Sequence, residues 1–132
     1  MTDSERKQRA IELIMAIDAP DFEKKVGALV TDDVVFQLMT RMPGPEIVNG
    51  REAFIAQLAA FHAMIPAGFN FRIGTVICEG SDVALQAESN AVSAAGKKYM
   101  NRYHFYLRFD GDRVAQINEY SDTNLVREVF LS

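Results

Sequence analysis

A chain of 132 residues, 48% apolar and 24% charged, has the composition of one folded domain able to bury roughly 68% of its unfolded surface, which excludes a disordered chain. The net charge of −4 comes from interspersed acids and bases, so no Lys/Arg block offers the footprint a nucleic-acid backbone requires. Cys78 is the lone cysteine, no signal-peptide core opens the sequence and no apolar run nears ~20 residues; the chain is expected to be cytoplasmic, without a disulfide and away from membranes.

Helix signals fill the first half. Thr2 and Glu5 have capping-box spacing, and Ala10, Leu13, Ile14 and Ile17 form one apolar stripe. Asp18-Ala19-Pro20 ends that helix, since proline cannot continue the hydrogen-bond ladder. Asp21 is placed to cap a shorter helix with Phe22, Val26 and Leu29 at i, i+4 and i+7. Thr31-Asp32-Asp33 reads as a turn into a short strand, Val34–Leu38. In Thr40–Asn49 the prolines of Met42-Pro43-Gly44-Pro45 predict irregular chain, a natural pocket rim. Asn49 and Glu52 then cap a third helix, with Phe54, Leu58, Phe61 and Ile65 on one face and Pro66 beyond its end.

Strand signals fill the second half. Gly80, Gly96 and Gly111 sit in short polar turns that separate four runs: Phe69–Glu79, Asp82–Ala95, Lys98–Asp110 and Arg113–Ser121. Loops this short join antiparallel neighbours, so the runs form a meander. At ~3.3 Å per residue the third run would span roughly 40 Å, and a strand that long in a small domain must twist and curl. Tyr103, Phe105, Leu107 and Phe109 alternate on one of its faces, with Asn101 among them. Tyr120 falls on the face opposite Glu119, where it suits a contact between two copies. Asp122 caps a final helical turn through Val126 and Phe130. The fold class is α+β, with three N-terminal-half helices packed on the concave face of a curved antiparallel sheet in a single domain spanning 1–132.

This order, together with Asp32-Asp33-Val34-Val35-Phe36, Asn49-Gly50-Arg51-Glu52-Ala53, Tyr99-Met100-Asn101-Arg102-Tyr103, Asp110-Gly111-Asp112-Arg113-Val114 and Glu119-Tyr120-Ser121-Asp122-Thr123, resembles the SnoaL-like branch of the nuclear transport factor 2-like/ketosteroid isomerase superfamily. The resemblance covers essentially the whole chain. It implies a cone-shaped fold with a deep apolar pocket, often homodimeric, and no one activity, because the fold hosts isomerases, cyclases, hydrolases and non-catalytic binders. Matched to ketosteroid isomerase, the carboxylate-base position falls on Leu38, the tyrosine near Leu13 and the second acid near Phe105, none of which moves a proton. Matched to limonene epoxide hydrolase, the last-strand aspartate falls on Glu119, but Glu88-Ser89-Asn90-Ala91 lacks the bridging arginine.

Glu119 is therefore the catalytic candidate: facing a cavity beside Ile117, it would have its pKa raised by desolvation toward the range useful for proton transfer. The competing reading is an exposed or salt-bridged strand glutamate. Asn101 and Tyr103 are expected to orient a ligand oxygen, against the alternative of a core amide and phenol satisfying backbone groups. Phe36, Phe54, Leu58, Phe61, Phe105 and Ile117 are the expected apolar walls. His62, at the margin of the third helix stripe, and Asn90 are secondary candidates, although a structural histidine is the plainer reading of His62. His104 reads as outer-face. The histidines and Cys78 lack metal-site spacing, so neither metal nor cofactor is expected. The functional expectation is a cofactor-independent acid/base enzyme of isomerase, cyclase or hydrolase type. It would act on a small apolar oxygenated metabolite and pair as a homodimer through its sheet. The alternative is a non-catalytic small-ligand-binding or assembly module of the same fold.

Overall fold

Helix α1 (Asp3–Ala16) starts as its sequence dictates: the Thr2 hydroxyl accepts the Glu5 N–H at 3.1 Å, and the Glu5 carboxylate accepts the Thr2 N–H at 3.3 Å. Its stripe of Ala10, Leu13 and Ile14 is fully buried. In this computed structural model the described residues are 1–42 and 46–131. Of the expected Met42–Pro45 rim, Pro43, Gly44 and Pro45 therefore lie outside them.

Helix α2 (Phe22–Leu29) buries Phe22 and Val26, but Asp21 makes no capping bond; its carboxylate instead lies 3.5 Å from Lys25 Nζ one turn on. Strand β1 (Val30–Leu38) follows at once. The residues read as a turn, Thr31-Asp32-Asp33, are inside this strand, where the pairing register shifts between Val30 and Val35. Asp32 there pairs with Arg51, whose guanidinium also donates to the Val30 carbonyl at 2.8 Å. Asn49 closes a short strand, β2 (Ile47–Asn49), in the stretch expected to be irregular. Helix α3 (Arg51–Met64) is led by Gly50, whose φ of +92° only glycine adopts easily. Asn49 is thus not the cap.

The meander consists of β3 (Arg72–Glu79), β4 (Asp82–Glu88), β7 (Arg102–Asp110) and β8 (Arg113–Ser121). Two small strands, β5 (Ala91–Val92) and β6 (Lys98–Tyr99), pair separately. The 40 Å strand does not exist as one piece. Its chain leaves the main ladder at Met100-Asn101, and the facing run leaves at Ser89-Asn90, because buried side chains take over backbone bonding there: Ser89 Oγ accepts the Asn101 N–H at 2.9 Å and Asn101 Oδ1 accepts the Arg102 N–H at 2.7 Å.

The main sheet is curved, open and six-stranded, ordered β2-β1-β8-β7-β4-β3, and every pair is antiparallel except β1 with β8, which runs parallel. Helix α1 packs on β3 and β4, and α3 on β1 and β2. Between them lies a core of Leu13, Ile14, Phe54, Leu58, Leu85, Phe105, Leu107 and Ile117. A fourth helix, α4 (Thr123–Phe130), grows from the expected final turn, with Asp122 Oδ1 accepting the N–H groups of Asn124 and Leu125 at 3.1 and 3.3 Å. Among the described residues no helix is long and apolar enough to cross a membrane.

Candidate functional site

Strand alternation on β8 sends Ile117, Glu119 and Ser121 to the inner face, level with Leu107, Phe105 and Tyr103 on β7. On the other side Glu119 lies level with Leu38, the last residue of β1, and its carbonyl accepts the Met39 N–H at 2.9 Å. Past that point β1 no longer covers the inner face. The gap is bounded instead by Met39, Thr40 and Met42, by Phe61, Met64 and Ile65 at the end of α3, by Phe69, and by Val126 and Phe130 of α4. They leave a cavity of about 80 Å³, and the polar residues of its lining are Thr40, Tyr99, Glu119, Ser121 and Thr123.

Glu119 is the one carboxylate among the lining residues. It is half-buried, and its carboxyl group has no hydrogen-bond or ion-pair partner among the described residues. Desolvation is the sole cause acting on it and raises its pKa from the ordinary 4.5 to about 7.

The other residues singled out from the sequence are placed differently. Asn101 is a buried fastener: Oδ1 accepts the N–H groups of Arg102 and Asp122 at 2.7 and 3.0 Å, while Nδ2 donates to the Asp122 carbonyl at 3.1 Å and the Tyr99 hydroxyl at 3.0 Å. Nothing is left of the amide for a ligand. The Tyr103 hydroxyl donates to Ser89 Oγ at 3.2 Å, and burial pushes its pKa up. Neither residue lines the cavity, so their expected ligand-orienting role is corrected to a structural one. Phe61 is a wall, but Phe36, Phe54, Leu58, Phe105 and Ile117 are packed solid beneath it, Phe36 stacking on Phe54 at 5.1 Å. The reason is steric: α3 lies directly on β1 over those side chains, and space opens only beyond the strand's end.

His62 is structural. Its Nε2 is 2.6 Å from the Ile17 carbonyl, so that nitrogen carries the hydrogen, and its ring stacks on Phe22 at 4.2 Å. Asn90 is exposed, its carbonyl accepting from the Asn70 amide at 3.1 Å. His104 is exposed on the outer face. Cys78 is half-buried and packs against the core. Met42, the described residue of the expected rim, does line the cavity, whereas sequence reasoning missed Met39, Met64, Phe69 and Tyr99, none of which stands out by spacing. Ser121 was legible, being two residues from Glu119 on the same strand. Also missed was Asp18, whose carboxylate accepts the N–H groups of Phe69 and Asn70, both at 2.8 Å, and so holds the Phe69 wall to the end of α1.

Residues 10–117 match the family model of the SnoaL-like domain. None of the curated proteins matches. Among solved structures, Bal32a from a soil-derived mobile gene cassette aligns with a TM-score of 0.86 at 18% identity, over 97% of this chain and 98% of its own. An LEH-like epoxide hydrolase of M. tuberculosis aligns at 0.78 with 16% identity, over 98% and 91%. TerC, crystallised with polyporic acid, aligns at 0.82 with 12% identity, over 97% and 99%. At such identities these likenesses establish the fold alone.

Proposed function

Since the chain belongs to the SnoaL-like domain family, we propose that it is an enzyme of isomerase, cyclase or hydrolase type in which Glu119 transfers a proton to or from a small apolar oxygenated metabolite, drawing on no cofactor. The observation that carries this reading is a partnerless carboxyl group held at a pKa of about 7 in an apolar cavity. Near neutral pH both of its protonation states are populated, so it can take a proton and return it. The likeness to an epoxide hydrolase and to a protein crystallised with polyporic acid supports the same direction. At about 80 Å³ the cavity is well below the usual 300–1,000 Å³ of ligand pockets, which favours a small compound. The reading also pairs two copies through the outer sheet face, where Tyr120 and Ile77 are exposed.

The test is incubation of wild type and Glu119→Gln with small ketones, epoxides and phenolic ring compounds, with products followed by mass spectrometry. Wild type is expected to turn over at least one class with a pH–rate inflection near 7, and the variant to lose roughly 10²–10⁴-fold of that rate. Full activity in the variant would overturn the assignment.

A second reading, a non-catalytic ligand-binding module, is favoured by one specific feature. Glu119 stands without a second acid or base: the isomerase positions hold Leu38, Leu13 and Phe105, and no arginine occurs at Glu88-Ser89-Asn90-Ala91. Compounds that bind wild type and are recovered unchanged would decide for this alternative.

A further inference from the structure

Glu119 is the only charged residue among those lining the cavity, and no basic side chain joins it there. Three basic residues stand next to lining residues in the chain, yet none belongs to the wall. Arg41, after Thr40, and Arg127, after Val126, are exposed, while His62, after Phe61, is bonded to the Ile17 carbonyl and stacked on Phe22. The titratable groups near Glu119 on β6 and β7 are Tyr99 and Tyr103, whose side chains are hydrogen-bonded to each other and kept neutral by burial. At the start of α4 the Asp122 carboxylate is engaged in capping the helix, and β1 offers only Leu38 at that level.

Once ionised, Glu119 is therefore an uncompensated negative charge in an apolar cavity, a state that a ligand of opposite charge relieves. A neutral ligand leaves the charge unmatched, and an anion adds repulsion. A metal ion would need several oxygen ligands in place of its water. Among the described residues no group of three or more His, Cys, Asp or Glu side chains could supply them. An ammonium ion carrying alkyl groups needs no such shell, because its charge lies beneath an apolar surface that suits this wall. Phe61, Phe69, Tyr99 and Phe130 put aromatic rings among the lining residues, and rings are the usual partners of quaternary ammonium groups.

We propose that the cavity is a binding site for a small organic cation, an alkylated ammonium ion, with the Glu119 carboxylate as its counter-ion. This rests on the reading of the cavity as a ligand site and goes beyond it, adding a cationic class to the neutral oxygenated compounds.

The experiment compares tetramethylammonium with tert-butanol, two compact tetrahedral probes with the same number of heavy atoms, one charged and one neutral. Binding is followed at physiological ionic strength through the methyl resonances of Met39 and Met64, both in the cavity wall. Glu119 is mostly protonated at pH 5.5 and ionised at pH 8.5. Tetramethylammonium is expected to bind roughly 30-fold tighter at the higher pH, in proportion to the ionised fraction, and tert-butanol to change little. Glu119→Gln is expected to hold the cation at its weaker level at both pH values while tert-butanol still binds. Cation binding that ignores pH in wild type, a pH dependence that persists in Glu119→Gln, or cation shifts confined to residues outside the cavity would overturn the proposal. With tert-butanol bound, each of these leaves the ligand-site reading standing. If wild type bound neither probe, the two would fall together. Should Glu119→Gln fail to fold, the wild-type pH dependence alone decides.

Discussion

Holding Glu119 where it is makes folding depend on pH in an unusual sense for a carboxylate. Its pKa is about 7 in the folded protein against 4.5 ordinarily, so between those values the folded state binds a proton that the unfolded chain has released. Its contribution to stability therefore declines as pH rises through this window, by about 3 kcal/mol once both states are ionised. Glu119→Gln removes the titration. Denaturant unfolding at pH 4 and pH 8.5 is expected to give a variant close to wild type at the lower pH and more stable at the higher, by up to about 3 kcal/mol. A variant destabilised equally at both values would show that the carboxyl group is held by favourable contacts. Asn101 offers the contrast: it is as polar and more buried, yet every one of its groups is paired, so it costs little and fastens β7 to the start of α4.

At the scale of elements, α4 is the weak part of the site. Eight residues are too few for a helix to stand alone in water, so it depends on its cap and on the packing of Val126, Val129 and Phe130. Asp122→Ala removes both capping bonds and should cost about 1 kcal/mol. Because α4 walls the cavity without belonging to the six-stranded sheet, that loss is expected locally. Amide exchange over residues 124–130 should accelerate about fivefold, while β4 and β7 keep their protection. Uniform acceleration across the sheet would mean that α4 unfolds only with the whole domain. The broken long strands belong to the same scale. Periodicity correctly separated the two faces of 102–110, but the break at Met100-Asn101 was hidden, since a buried serine and asparagine 12 residues apart compete with the ladder only once the strands have been brought together.

At the scale of the molecule, the helices close the inner face of the sheet and leave the outer face bare. There Tyr120 is 43% and Ile77 62% exposed, among polar neighbours such as Gln86 and His104. The proposed pairing of two copies through this face predicts a dimer of about twice the 14.8 kDa chain mass in sedimentation equilibrium, and a monomer for Tyr120→Arg with the fold retained. A wild-type monomer at micromolar concentration would overturn it.

By itself the sequence determined what depends on near neighbours. The Thr2–Glu5 cap, the α1 stripe, the hairpin glycines, the Asp122 cap and the opposite facing of Glu119 and Tyr120 are each written in spacings of a few residues, because helix and strand periodicities are local. The family resemblance was legible for the same reason, as short motifs in a fixed order. The parallel pairing of β1 with β8, the break in the long strands and the position of the cavity were decided only by the tertiary structure. A cavity lies where packing stops. Here it stops because β1 ends at Leu38 while α3, Phe69, Tyr99 and α4 arrive from distant parts of the chain without filling the space, so Tyr99 reaches the wall and Phe54 does not.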